Sequence, residues 1–172
     1  MKALTYIDVS FRLGVIVHLR VLLAVVSFNF LTIPVKVLDE GIEVPRHAHI
    51  DDAGADLCTT EDIELAPFER RLVGTGVALA IPEGYAGFVH PRSGLAVKSG
   101  LSIVNSPGTI DAGYRGEIKV PLINLDPTET ITLKRGDRIA QIVIQAVYTG
   151  SFHEVQQLSS SGRGVAGFGS TG

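Results

Sequence analysis

Cysteine is nearly missing from this chain: its 172 residues include one, Cys58. A single thiol forms no internal disulfide and, with no C-x-x-C partner, no zinc site, so it reads as a small hydrophobe in a reducing compartment such as the cytosol. An excess of positive charge is missing too. The formal net charge is −3, which argues against a protein that holds nucleic acid through many phosphates, because that requires a basic stripe. No uncharged apolar run reaches the ~20 residues of a membrane-spanning helix, since His18 and Arg20 interrupt the most apolar stretch and Asn29 follows them. The P-loop, the H-E-x-x-H zinc helix and the G-x-S-x-G elbow are absent, as is any internal repeat. Gly162 to Gly167 formally matches G-x-G-x-x-G, but no strand-turn-helix unit surrounds it, so the dinucleotide reading is rejected. His47-x-His49 offers two imidazoles without a third ligand and reads as solvated loop; Asp51 and Asp52 read as solvated loop charges.

What is present is a single apolar-rich domain. With 45% hydrophobic residues, the chain is long enough for one sizeable core and too short for two comfortable ones. Short apolar runs cover Val35 to Leu38, Ile63 to Leu65, Arg71 to Ile81, Tyr85 to His90, Leu101 to Val104, Ile118 to Leu125, Thr130 to Leu133 and Ile139 to Val147. Turn residues separate them: Pro82-Glu83-Gly84, Ser106-Pro107-Gly108, Asp126-Pro127 and Arg135-Gly136-Asp137. That spacing predicts an all-β barrel or sandwich. Ser93 to Lys98 predicts a short helix, with Ser93 as its N-cap.

The segment richest in chemistry is N-S-P-G-T-I-D-A-G-Y-R-G-E-I-K, Asn105 to Lys119. It predicts a glycine-punctuated hairpin between apolar flanks, with Asp111 and Tyr114 at its mouth. A carboxylate so placed can take a proton from an attacking water. An ordinary turn aspartate is the alternative, because Asp and Gly populate turns for conformational reasons alone. Of the arginines at turns, Arg92 and Arg163 are embedded among small residues that leave backbone amides exposed, which suits a polyanionic ligand.

Four further segments accompany the hairpin: A-G-A-D-L at Ala53 to Leu57, P-R-S-G-L-A at Pro91 to Ala96, R-G-D-R-I-A-Q at Arg135 to Gln141, and the tail R-G-V-A-G-F-G-S-T-G at Arg163 to Gly172. In this order and spacing they resemble the five motifs of the homotrimeric dUTP pyrophosphatases (dUTPases), over about Leu31 to Gly172. The resemblance implies an all-β, distorted jelly-roll barrel of the β-clip type, assembled as a homotrimer with shared sites. It implies hydrolysis of dUTP to dUMP and pyrophosphate by water attack at the α-phosphorus, which limits uracil in DNA and supplies dUMP for thymidylate synthesis.

The same resemblance distributes the roles. Asp111 is the general base. Tyr114 lays its ring on the deoxyribose and leaves no room for a 2′-hydroxyl. Asn105 and the hairpin residues Gly108, Thr109 and Ile110 read uracil, and Lys119 also contacts substrate. Such a site rejects cytosine because its own polar groups would stay unpaired. Arg92, Ser93, Gly94 and Gln141 take the phosphates. Asp56 holds Mg²⁺ through water, which suits an ion that keeps several waters and shares its site with phosphate oxygens. In the arm, Arg163 meets the γ-phosphate, Phe168 stacks on uracil, and Gly169, Ser170 and Thr171 close on the phosphate end. Ala166 stands where family tails often have glycine.

The expected division is 1–30 as an extension foreign to the fold, 31–158 as the β-barrel domain and 159–172 as the substrate-closing arm. For the extension, an upstream-shifted start codon, an added β-strand and a targeting segment cleaved near Ser27 are three open readings. Two functional rivals stand beside dUTP hydrolysis: a dCTP deaminase of the same fold, and a non-catalytic β-trimer that binds or regulates. No stable nucleic-acid partner and no membrane are expected.

Overall fold

The protein is represented by a computed structural model that describes residues 31–162 and 164–165, together with the backbone of 7–9 and 19–21. It divides into two compact units, Met1–Thr32 and Ile33–Gly172. In the first, β1 (Ile7–Val9) pairs antiparallel with β2 (Leu19–Val21), Ile7 opposite Val21.

The second unit is all-β and jelly-roll-like. Its strands are β3 (Val35–Val37), β4 (Gly54–Cys58), β5 (Ile63–Leu65), β6 (Arg70–Gly74), β7 (Val77–Leu79), β8 (Tyr85–His90), β9 (Leu101–Ile103), β10 (Gly108–Ile110), β11 (Lys119–Asn124), β12 (Ile131–Leu133) and β13 (Arg138–Ala146). A helix, α1 (Ser93–Ser99), follows β8. One sheet has the order β10-β8-β13-β4 and a second β6-β11-β9, while β5 pairs with β12 and β3 with β7. All pairings are antiparallel.

The period-2 alternation of a half-buried strand is clean in β5 and β12, where outer residues are buried and the middle one exposed. The buried residues form one core that includes Leu57, Ile63, Leu65, Val73, Ile118, Val120, Leu122, Ile139 and Ile142. Truncating any one of these to alanine would cost roughly 2–5 kcal/mol. Asn124 is fully buried and fully used: its amide nitrogen donates to the carbonyls of Leu65 (3.0 Å) and Glu129 (2.8 Å), and its oxygen accepts the Asp126 N–H at 2.8 Å. Near the start of this unit Arg135 grips Asp39 with two N–H groups, at 2.7 and 2.6 Å. That hydrogen bonding holds the Asp39 carboxyl below its usual range.

Three sequence expectations change. The run Arg71 to Ile81 is not one strand: it breaks after Gly74, and Gly76 turns the chain at φ +68° before β7 starts. Ser93 is the first helical residue, and the N-cap is Arg92, in extended conformation with no side-chain cap. The A-G-A-D-L segment, outside the predicted strands, lies mostly on strand β4, and Gly108 to Ile110, read as part of the hairpin turn, form strand β10.

Candidate active site

The site grows out of the pairing of β13 with its two neighbours. Gln141 lies opposite Asp56 of β4 and His90 of β8, so the three share one face of the sheet. The next residue along, Ile142, points the other way into the core. Residues 138 and 141 are an odd number apart and would normally face opposite sides. A register shift between Arg138 and Ala140 changes this: Ile139 and Ala140 are both buried, and Arg138 emerges on the face of Gln141.

Asp56 therefore sits between two guanidinium groups. Arg92 Nε donates to its Oδ1 at 2.8 Å and Arg138 Nη1 to its Oδ2 at 3.3 Å. Beside this cluster, on β4, the Cys58 thiol is pushed up by burial, with the charge of Asp56 adding to the effect. Gln141 donates from Nε2 to the Pro91 carbonyl at 3.0 Å. This amide has room only because residue 54 is glycine: a Cβ there would lie 2.2 Å from Gln141 Oε1.

These groups line a cleft of about 320 Å³ bounded by Ala48, Asp52, Ala53, Gly54, Asp56, Arg92, Ser93, Gly94 and Gln141. A Cβ on Gly94 would meet nothing within 4 Å, so the mouth is open at the start of α1. Two of its features escaped the sequence. Asp52, read as a solvated charge, forms part of the wall, where its carboxylate accepts the His49 N–H at 2.8 Å. Arg138, bonded to Asp56 beside the lining residues, is marked out only by the register shift. His47, exposed in the loop as expected, has Nδ1 3.0 Å from the Gly54 carbonyl.

The Asn105–Lys119 segment is more than a simple hairpin. β9 and β11 pair around it, Ile103 opposite Leu122, but its first limb leaves as β10 to pair with β8, Gly108 opposite Val89. Asn105 packs its side chain over Gly108. Asp111 is exposed at the tip, and its carbonyl accepts the Tyr114 N–H at 3.0 Å. The Tyr114 ring, 45% exposed, folds back over Gly116, where a Cβ would come within 2.4 Å of the hydroxyl oxygen. That hydroxyl donates to the Glu117 carbonyl at 2.9 Å. Thr109 is exposed and Ile110 half-buried; Lys119 is exposed, its Nζ 3.4 Å from Glu117 Oε2. None of the residues lining the cleft comes from this segment. The arm positions Arg163, Phe168, Gly169, Ser170 and Thr171 lie outside the described residues.

Magnesium is tested here by the donor set. Among the described residues no three His, Cys, Asp or Glu side chains gather into a metal cage. Asp56 alone fits an ion held through water: each of its oxygens accepts one arginine N–H, and a carboxylate has about four acceptor positions, so two remain for water.

Comparison with known proteins places the chain. The family model described as dUTPase matches residues 40–172. Deoxyuridine 5'-triphosphate nucleotidohydrolase of Thermobifida fusca is 59% identical over 145 residues, 84% of this chain and 81% of the relative. The protein of the same name from Nocardia farcinica is 63% identical over 140 residues, 81% of this chain and 85% of the relative. Among solved structures, the Staphylococcus bacteriophage 80alpha dUTPase with dUPNHPP superposes with a TM-score of 0.76 at 33% identity, covering 82% of this chain and 98% of that one. A mutant dUTPase from phage phi11 of S. aureus, described with a structural Mg(II) ion, gives 0.68 at 30% identity, over 73% and 97%. With more than two thirds of its length matched by the family model and by both bacterial relatives, the chain belongs to the dUTPase family.

Proposed function

We infer that this chain hydrolyses dUTP to dUMP and pyrophosphate, as a dUTP diphosphatase. The observation that carries the reading is the convergence of Asp56, Arg92, Ser93, Gly94 and Gln141, from three separate segments, on one cleft. One cation, a hydroxyl, a neutral amide and an open glycine wall make a pocket for a polyphosphate without requiring a basic protein.

In this reading Asp111 orients and deprotonates the water that attacks the α-phosphorus, and its exposure at the segment tip leaves the carboxylate accessible to that water. Tyr114 presents its ring to the deoxyribose. Asn105, Gly108, Thr109 and Ile110 read the base, with Lys119 beside them. Arg92, Ser93, Gly94 and Gln141 hold the phosphates in line for displacement. Arg163, Phe168, Gly169, Ser170 and Thr171 act from the arm, 159–172, while 1–30 is an extension that the chemistry does not use. Asp56 would hold Mg²⁺ through water, and when bound with substrate the ion would neutralise phosphate charge.

The active assembly is a homotrimer, in which the phosphate cleft of one subunit meets the Asp111 segment of another. Two features support this. The cleft has no lining from residues 105–119. Leu72, Pro121 and Val104 also form a lateral row on one sheet, Leu72 and Val104 being 61% and 51% exposed, and contiguous exposed apolar surface marks protein contact. Among the described residues no helix is long and apolar enough to cross a membrane, and we place the enzyme in the cytoplasm, where an unpaired Cys58 stays reduced.

Pyrophosphate release measured across dUTP, dCTP, dTTP and UTP with Mg²⁺ tests the reading. Release from dUTP alone is expected. Ammonia from dCTP would instead identify a deaminase, and silence on all four a binding module.

A further inference from the structure

Glu117 stands outside every role assigned above, yet its carboxylate and its backbone carbonyl both make directed contacts, one of them reaching beyond the Asp111 segment. Its Oε1 accepts the N–H of Gly76, in the turn between β6 and β7, at 3.0 Å. Its Oε2 lies 3.4 Å from Lys119 Nζ. Its own carbonyl accepts the Tyr114 hydroxyl at 2.9 Å. The carboxylate has a made-to-measure seat: a Cβ at residue 74 would lie 2.5 Å from Glu117 Oε1, so Gly74 leaves the space it fills. Lys119 is paired directly opposite that glycine.

We propose that Glu117 is a positioning residue for sugar selection: seated in the space left by Gly74 and held by the Gly76 amide, it fixes the carbonyl to which the Tyr114 hydroxyl is tied. The inference rests on Tyr114 being the ring that faces the deoxyribose. A ring excludes a 2′-hydroxyl only if it cannot swing aside. The Tyr114 ring is nearly half exposed and lies against a glycine, Gly116, which gives it no side-chain wall. Its hydroxyl is therefore the main tether, and that tether ends on residue 117. A charged acceptor on an amide N–H is among the stronger hydrogen bonds available, and it joins the loop to a turn whose backbone is held on both sides. The Ile118 carbonyl accepts Thr75 Oγ1–H at 2.7 Å, and the Ile118 N–H donates to the Val77 carbonyl at 2.9 Å.

The test compares kcat/KM for dUTP and UTP in Glu117→Ala, Glu117→Gln, Gly74→Ala, Tyr114→Phe, Tyr114→Ala and the double variant Tyr114→Phe/Glu117→Ala, with thermal unfolding alongside. Glu117→Ala should lower the dUTP/UTP preference by about tenfold, the scale of one lost hydrogen bond to a charged group, with kcat on dUTP much less affected. Gly74→Ala should reproduce this, because its methyl expels the end of the carboxylate side chain while leaving the charge in place, and crowds only Thr60 Oγ1 besides, at 3.2 Å. Glu117→Gln should rescue most of the preference, since the amide oxygen still accepts from Gly76. In the double variant Glu117→Ala should add nothing to the loss caused by Tyr114→Phe. Unchanged preference in both Glu117→Ala and Gly74→Ala, with preference lost in Tyr114→Ala, overturns the role of Glu117 alone. Unchanged preference in Tyr114→Ala as well overturns the sugar-facing reading itself.

Discussion

Asparagine at position 111 would keep the shape of the aspartate and its ability to accept a hydrogen bond, but it cannot take a proton from water. Asp111→Asn is expected to lower kcat by ~10²-fold or more, the scale of a positioned general base, with dUTP affinity largely kept; single-turnover rates beside equilibrium binding separate the two. Activity within a few-fold of the parent would remove Asp111 from the mechanism. Gly54 tests the other half of the site. A methyl there collides with the Gln141 amide, 2.2 Å from Oε1, and breaks its bond to Pro91, so Gly54→Ala should reduce kcat/KM for dUTP by about tenfold, equivalent to one hydrogen bond in the transition state. Undiminished kcat/KM in that variant would show that the amide takes no part in phosphate binding. Asp56, Arg92, Asp111 and Tyr114 stood out in the sequence as candidates because each sits in a short motif with turn-forming neighbours, and the structure brings the first two together. Their pairings did not stand out. Arg92 reaches Asp56 across 36 residues and Arg138 across 82, and both contacts depend on strand register and on one irregularity in β13 that no local pattern announces.

At the scale of elements, α1 owes its place to the residue that follows it. Gly100 caps it at φ +70°, donates its N–H to the Ala96 carbonyl at 3.1 Å, and would put a Cβ 2.8 Å from the backbone nitrogen of Asp126. Both the left-handed conformation and the close backbone demand glycine. Gly100→Ala should therefore cost about 2 kcal/mol, readable as a fall of several degrees in the thermal midpoint; an unchanged midpoint would mean that the chain relaxes freely there. Strands were legible where hydrophobicity alternates or turn residues bound the run, as in Ile63–Leu65 and Tyr85–His90. They were illegible in two situations. β7 is buried throughout, so its apolar run joined that of β6 and hid the break at Gly76. β4 and β10 begin with glycine and include small or polar residues of modest strand preference, so only their pairing with β13 and β8 reveals them.

The whole molecule poses a question of completeness, because no residue of the Asp111 segment lines the cleft around Asp56 on the same chain. If a second subunit closes the site, fold and chemistry can be separated by cutting the arm. Among the described residues the strands end with β13 at Ala146, and none beyond Ile144 joins the core, so removing everything after Leu158 should leave the assembly folded. It should nonetheless lower kcat by on the order of 10² or more, because a lid that excludes water and supplies preorganised donors is lost. Size-exclusion chromatography with light scattering reports the first outcome and pyrophosphate release the second. Mixing then decides whether sites are shared. Chains lacking the arm keep Asp111, and Asp111→Asn chains keep the arm, so hybrid trimers contain sites in which an intact carboxylate meets a neighbour's intact arm. Partial recovery of activity is expected once subunits exchange, at a level that follows the statistics of mixed assembly. Absence of rescue under conditions where exchange is independently demonstrated would overturn the shared site and leave an arm that closes on its own subunit.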